Sequence, residues 1–202
     1  MLADFSNDIY LNEVIFDKIS EIENNCNHNT KEEKRLIKVY YRRFVRNGAN
    51  LEADQKEKLR KIDSKLSSLS PQFSSNVRKA TNDFELWIND EKDLKGLPQI
   101  AIDTASEAAA KKGKEGEWLF TLQFPSMLPI MKFLENRDLR KKMSNAFTQK
   151  CLNDEFDNSE LIKKIVKLRH ERAALLGYRN YAAYILEDRM AGEANEVYEL
   201  LD

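Results

Sequence analysis

At 202 residues, with 42% hydrophobic and 33% charged side chains and a formal net charge of −1, the chain is long enough to bury a core and too apolar for disorder. The near-neutral balance excludes a general electrostatic pull onto nucleic acid or an anionic membrane. Apolar runs such as Leu128 to Met131 fall far short of the ~20 residues of a membrane span.

The N-terminus reads as having no secretory leader, since no basic start precedes a long apolar stretch. Few Gly and Pro beside many Lys and Glu favour helices over a sandwich or barrel. Asn12 is placed to cap a first helix with Val14, Ile15, Ile19 and Ile22 on its inner face. The run from Asn24 to Asn29 breaks it, because asparagine competes for backbone hydrogen bonds. Thr30 and Glu33 have capping-box spacing and open the next helix, with Leu36, Tyr40 and Phe44 as one stripe and Asn47-Gly48 as its stop. A long helix starts near Glu52. Its Leu59, Ile62, Leu66, Leu69 and Phe73 alternate spacings of three and four, and Val77 and Ala80 continue the seam. Pro71 within the seam predicts a kink or a break.

Phe84–Ile88, rich in aromatic and branched residues, reads as a strand. Pro98 opens a helix to Ala110, Lys111–Gly116 is an exposed loop, and Glu117–Phe124 reads as a second strand. Two strands alone are marginal. An antiparallel ribbon is therefore expected, with Leu86, Ile88, Trp118 and Phe120 facing helices. Ser126–Leu134 reads as a short apolar helix, and Leu139, Met143, Ala146 and Phe147 mark another. Asn158 or Ser159 caps a helix with Leu161, Ile165, Leu168 and Leu175 inside, ended by Gly177. Tyr181, Tyr184 and Ile185 mark one more. Asn195–Leu201 is the last, with neither cap nor breaker after it, the pattern expected of a cut chain. The organisation is thus a single, mainly α, multi-helix scaffold with one small two-stranded ribbon. Helices fill 1–82, a strand-helix-strand insertion fills 83–124, and helices fill 125–202.

Little here offers chemistry. Cys26 and Cys151 form no Cys-x-x-Cys and read as reduced thiols of a cytoplasmic protein, with a disulfide between them the alternative. A catalytic zinc takes about three protein ligands, usually with histidine among them. His28 sits in the Asn-rich run and His170 in a helix. His-Glu occurs only at His170-Glu171, and Ala174 stands where His-Glu-x-x-His would place the second histidine. His170 then reads as an ordinary polar residue flanking a packed stripe. No Gly-x-Ser-x-Gly or Gly-rich phosphate loop occurs. Ser67, Ser68, Ser70, Ser74 and Ser75 read as the polar side of the long helix. Glu85 near Trp87 would have a raised pKa if buried. The basic run from Lys31 to Arg46, interleaved by Tyr40 and Tyr41, suits a phosphate-tracking helix or a solvated basic face, and the apolar stripe favours the second. No catalytic, cofactor-binding or metal-ligating residue is assigned.

Several stretches form an ordered set. They are Asn7-Asp8-Ile9-Tyr10-Leu11-Asn12, Phe44 to Leu51, Leu69 to Val77, Ala80 to Phe84, Gly96-Leu97-Pro98, Trp118 to Leu122, Asn136 to Arg140, Arg169 to Tyr178, and Tyr181-Ala182. Together they resemble the thimet oligopeptidase family of zinc peptidases over essentially the whole chain, nearest its peptidyl-dipeptidase and oligopeptidase A branches. The resemblance implies a much longer parent, a helical clam whose deep channel admits short peptides. The zinc and its His-Glu-x-x-His helix would belong to a C-terminal catalytic part, the partner missing here. This chain would wall the channel, hold no zinc and be inactive alone, with no nucleic acid or membrane as partner. Pro71 departs from the family's pattern. The alternative is a self-standing interaction module binding through the Leu59–Phe73 seam, and a third reading is an RNA-associated helical protein.

Overall fold

The structure, a computed structural model, describes residues 2–25 and 30–202. Its elements run α1 (Leu2–Tyr10), α2 (Glu13–Asn24), α3 (Lys31–Arg46), α4 (Ala53–Asp83), β1 (Glu85–Ile88), a 3-10 turn (Glu91–Leu94), α5 (Gln99–Ala110), β2 (Trp118–Thr121), α6 (Phe124–Phe133), α7 (Arg137–Gln149), α8 (Ser159–Leu175), α9 (Tyr181–Leu186) and α10 (Ala194–Leu201). The fold is mainly helical, with one two-stranded antiparallel sheet among the described residues. It divides into two compact units, Met1–Ser70 with Lys163–Asp202, and Pro71–Ile162. The chain passes from the first to the second within α4 and returns within α8.

In the first unit the local stop and start signals act as predicted. Asn12 caps α2, its side chain accepting from the Ile15 N–H at 3.1 Å. Thr30 and Glu33 close the capping box of α3. Gly48, at φ 91°, follows the Asn47 cap. Cys26, His28 and the rest of the predicted break beyond Asn25 lie outside the described residues.

The inner faces differ from those predicted. On α2, Val14, Ile15 and Ile22 are exposed, and Phe16 and Ile19 turn inward. On α3, Leu36 and Tyr40 are exposed and Ile37 and Tyr41, one position on, turn inward in their place, while Phe44 is buried as predicted. The cause is α1, which carries no cap signal in the sequence. Phe44 is held by Tyr10 of α1 at 5.1 Å and Phe16 of α2 at 6.3 Å, and Tyr41 stacks on Phe16 at 5.7 Å. Helix α4 also docks here. Leu59 is fully enclosed, Lys56 pairs with Glu13 at 2.9 Å, and Arg60 pairs with Asp8 at 2.8 Å. Leu66, Leu69 and Phe73, farther along the seam, are only half-buried. Pro71 does not break α4, which is helical from Ala53 to Asp83.

The second unit has its core under the ribbon. Leu86 pairs opposite Phe120 and Ile88 opposite Trp118. Opposed residues share a face, so all four point the same way. They meet Ala105, Leu122, Met127, Ile130, Leu134 and Met143 in one apolar cluster, as the alternation predicts. Strand β2 is shorter than expected: it ends at Thr121, and Phe124 opens α6 and is exposed. Phe147 also faces solvent, leaving Met143 as the enclosed residue of α7. Asn158, at the start of α8, is 1% exposed and reaches α4. Its Oδ1 accepts from Asn76 Nδ2 at 2.9 Å and its Nδ2 donates to the Phe73 carbonyl at 3.3 Å. On α8, Leu161, Ile165 and Leu168 are buried as predicted.

Candidate functional site

The densest polar assembly lies in the first unit, where α3, α4, α8 and α9 converge. Arg46, in the last turn of α3, donates to the Tyr184 carbonyl at 2.7 Å and to the Tyr178 hydroxyl at 3.4 Å. It also pairs with Glu187. The Tyr178 hydroxyl donates to Glu187 Oε2 at 2.6 Å. Arg172 of α8 pairs with Asp63 of α4 at 2.7 Å. Both guanidiniums lie over the Tyr184 ring, Arg46 at 4.7 Å and Arg172 at 5.0 Å, where the ring's negative face attracts them. Arg42 adds a pair to Asp188 at 2.7 Å. Beside the assembly is a recess of about 410 Å³ lined by Tyr178, Asn180, Glu187, Gly192 and Asn195 among others.

The electrostatics are those of an anchor. Burial is the largest single influence on Arg172 and disfavours its charge, but the Asp63 carboxylate and Tyr184 together outweigh it and raise the guanidinium's pKa. Burial raises the Tyr178 phenol, against the pull of Arg46. With the phenol and the guanidinium both raised in pKa, neither Tyr178 nor Arg172 offers a base or nucleophile near neutral pH. What they do is fix α9 and the turn after it against α3 and α8. Sequence reasoning missed this cluster, because Arg46 and Tyr178 are separated by 132 residues and no local pattern links them. The basic run on α3 is thus partly consumed within the fold, through Arg42 and Arg46.

The other candidates do not assemble. His170 and Ala174 both face solvent on α8. Ser67 and Ser68 donate to helix carbonyls one turn back, at Ser64 and Lys65. Glu85 has the opposite shift from the one expected of a buried carboxyl. Lys112, and then the Trp87 indole N–H at 3.0 Å, stabilise its charged form and lower its pKa. Burial raises the Cys151 thiol pKa, which makes it a poor nucleophile. Among the described residues no three His, Cys, Asp or Glu side chains come together as a metal site, so these residues do not fit a zinc ion.

Residues 130–202 match peptidase family M3. The chain is 40% identical over 176 residues to a probable cytosolic oligopeptidase A of Arabidopsis thaliana, covering 83% of this chain and 25% of that protein. It is 34% identical over 174 residues to oligopeptidase A of Escherichia coli, covering 84% and 25%. It is also 33% identical over 193 residues to the dipeptidyl carboxypeptidase of the same bacterium, covering 94% and 28%. These relatives are peptidases, and on these matches the chain belongs to the thimet oligopeptidase family, peptidase family M3. The chain spans about a quarter of the length of the curated relatives it matches.

Proposed function

We infer that this chain is scaffold and channel wall of a zinc-dependent oligopeptidase that hydrolyses short peptides, and that alone it hydrolyses nothing. The observation that carries the reading is one-sided coverage: similarity runs over 94% of this chain but only 28% of the dipeptidyl carboxypeptidase. The sequence supports it, since Ala174 takes the place of a second motif histidine. On this reading the zinc ligands and the general base come from the parent's catalytic part, and the Arg46–Tyr184–Arg172 assembly braces the wall. A cytoplasmic setting suits the relative named cytosolic, although another relative, 38% identical, is named organellar.

The test is incubation of the purified chain with a quenched fluorogenic peptide, with and without added zinc. No turnover above a blank is expected. Chelator-sensitive cleavage by the pure chain would reject the reading. A His-Glu-x-x-His in the same reading frame beyond Asp202 would support it directly.

A further inference from the structure

Strand β2 is paired on one side only. Phe120 lies opposite Leu86 and Leu119 opposite Trp87. The Thr121 N–H donates to Ser126 Oγ at 2.9 Å, so Thr121 turns its backbone away from β1. In an antiparallel ladder the direction of the backbone groups alternates residue by residue. Phe120 therefore points its N–H and C=O at β1, and Leu119 points its own toward the open side.

That open side borders a recess of about 460 Å³. Three consecutive strand residues, Leu119, Phe120 and Thr121, line it. Consecutive residues are what a strand's edge presents, whereas a face presents every second one. The other walls are Ile100, Ala101, Thr104 and Ala108 of α5 with Pro125 and Pro129 of α6, and Gln123 and Ser126 add polar groups beside the strand's end. The walls are mainly apolar, and Ile100 stands 77% exposed.

A ladder donor and acceptor in an apolar recess specify their own occupant. Left without a partner away from water, each costs a lost hydrogen bond. An apolar small molecule cannot answer them. An extended backbone answers both at the strand repeat and sends alternate side chains into the recess. The volume falls in the range of sites for small ligands, which limits the occupant to a short segment. We propose that this recess binds a short, extended peptide with small aliphatic side chains, which adds a third strand to β2 by pairing with the main chain of Leu119. Ser126 already closes the Thr121 donor, so the pairing centres on Leu119. The site lies within one unit and does not depend on where any peptidase centre lies.

The test is titration of the 202-residue chain with the capped peptide Ac-Lys-Val-Thr-Val-Thr-Lys-NH2, followed by amide proton–nitrogen spectra. Saturable shifts at Leu119, Ala101 and Thr104 are expected, with slowed exchange of the Leu119 amide. The same peptide N-methylated at its two central residues lacks the central donors that would pair with Leu119 and should bind about tenfold more weakly or worse. Thr104→Trp, at an exposed position, fills the recess and should abolish the shifts in a protein that still melts cooperatively. Equal affinity for the methylated peptide would mean simple apolar adhesion and overturn the proposal. So would shifts confined to other residues, or no saturation at millimolar peptide.

Discussion

Two glycines with similar backbone angles differ in what an added methyl would meet. Gly96, at φ 95°, has the Phe133 carbonyl 2.2 Å from the place a Cβ would occupy, and Gly177, at φ 83°, has nothing within 4 Å. Gly177→Ala carries only the left-handed backbone cost, about 1 kcal/mol. Gly96→Ala adds a backbone collision and should cost roughly 3 kcal/mol or more. Urea unfolding of both variants checks the ranking. Arg172 and Asp63 are nearly enclosed, with side chains 12% and 16% exposed. Asp63→Ala leaves a desolvated guanidinium without its carboxylate and should destabilise by about 3 kcal/mol. Replacing both partners by apolar residues should recover much of that loss, since the stranded charge goes too. Glu85 sets the acid response of the ribbon. Its pKa is lowered in the fold, so its contribution is complete above the ordinary glutamate value of about 4.3 and is lost as pH falls through the lower folded value. Carbon-detected titration of the Glu85 carboxyl should give a midpoint below the usual range, and Lys112→Ala should move it back.

At the level of elements, periodicity gave the helices from α2 onward and missed α1, and caps gave several of their ends, but neither gave the packed face. The capping box, the Asn12 cap and the Asn47-Gly48 stop are local, so a few residues determine them. The Leu36-Tyr40-Phe44 stripe failed at two of three positions because Tyr10 and Phe16, on two other helices, settle which side of α3 is enclosed. The seam of α4 was legible as a seam, but not its gradient from Leu59, fully enclosed, to the half-buried Leu66. The gradient has a measurable consequence. Leu59→Ala should cost about 2–5 kcal/mol, as in a closed core, and Leu66→Ala clearly less, by thermal denaturation. Pro71 tests the helix from the other direction. It is exposed and lies inside a helix that runs through it, so its ring removes the N–H that would pair with the Ser67 carbonyl. Pro71→Ala should raise the melting temperature of the second unit. A lower one would mean that proline's restraint on the unfolded chain outweighs the missing bond.

Across the whole molecule, the candidate sites were legible mainly as exclusions. No motif in the sequence points to a reaction, and the polar assembly around Tyr184 holds elements together over a separation no window of sequence spans. The family came from many weak stretches in fixed order, a signal that resides in the chain as a whole. One property of that chain bears on its birth at the ribosome. The second unit is continuous in sequence, Pro71–Ile162, and sits between the two halves of the first. At about 5–20 residues per second of synthesis, the helices before Ser70 wait roughly 5–20 s for Arg172 and Tyr184 to emerge. The later-starting unit can therefore finish first. Meanwhile the rings of α1 to α3 can already pack on one another, Tyr10 and Phe16 against Phe44, while Arg46 and Asp63 stand without the Tyr184 and Arg172 that will hold them, so the polar assembly is the last part of the first unit to close.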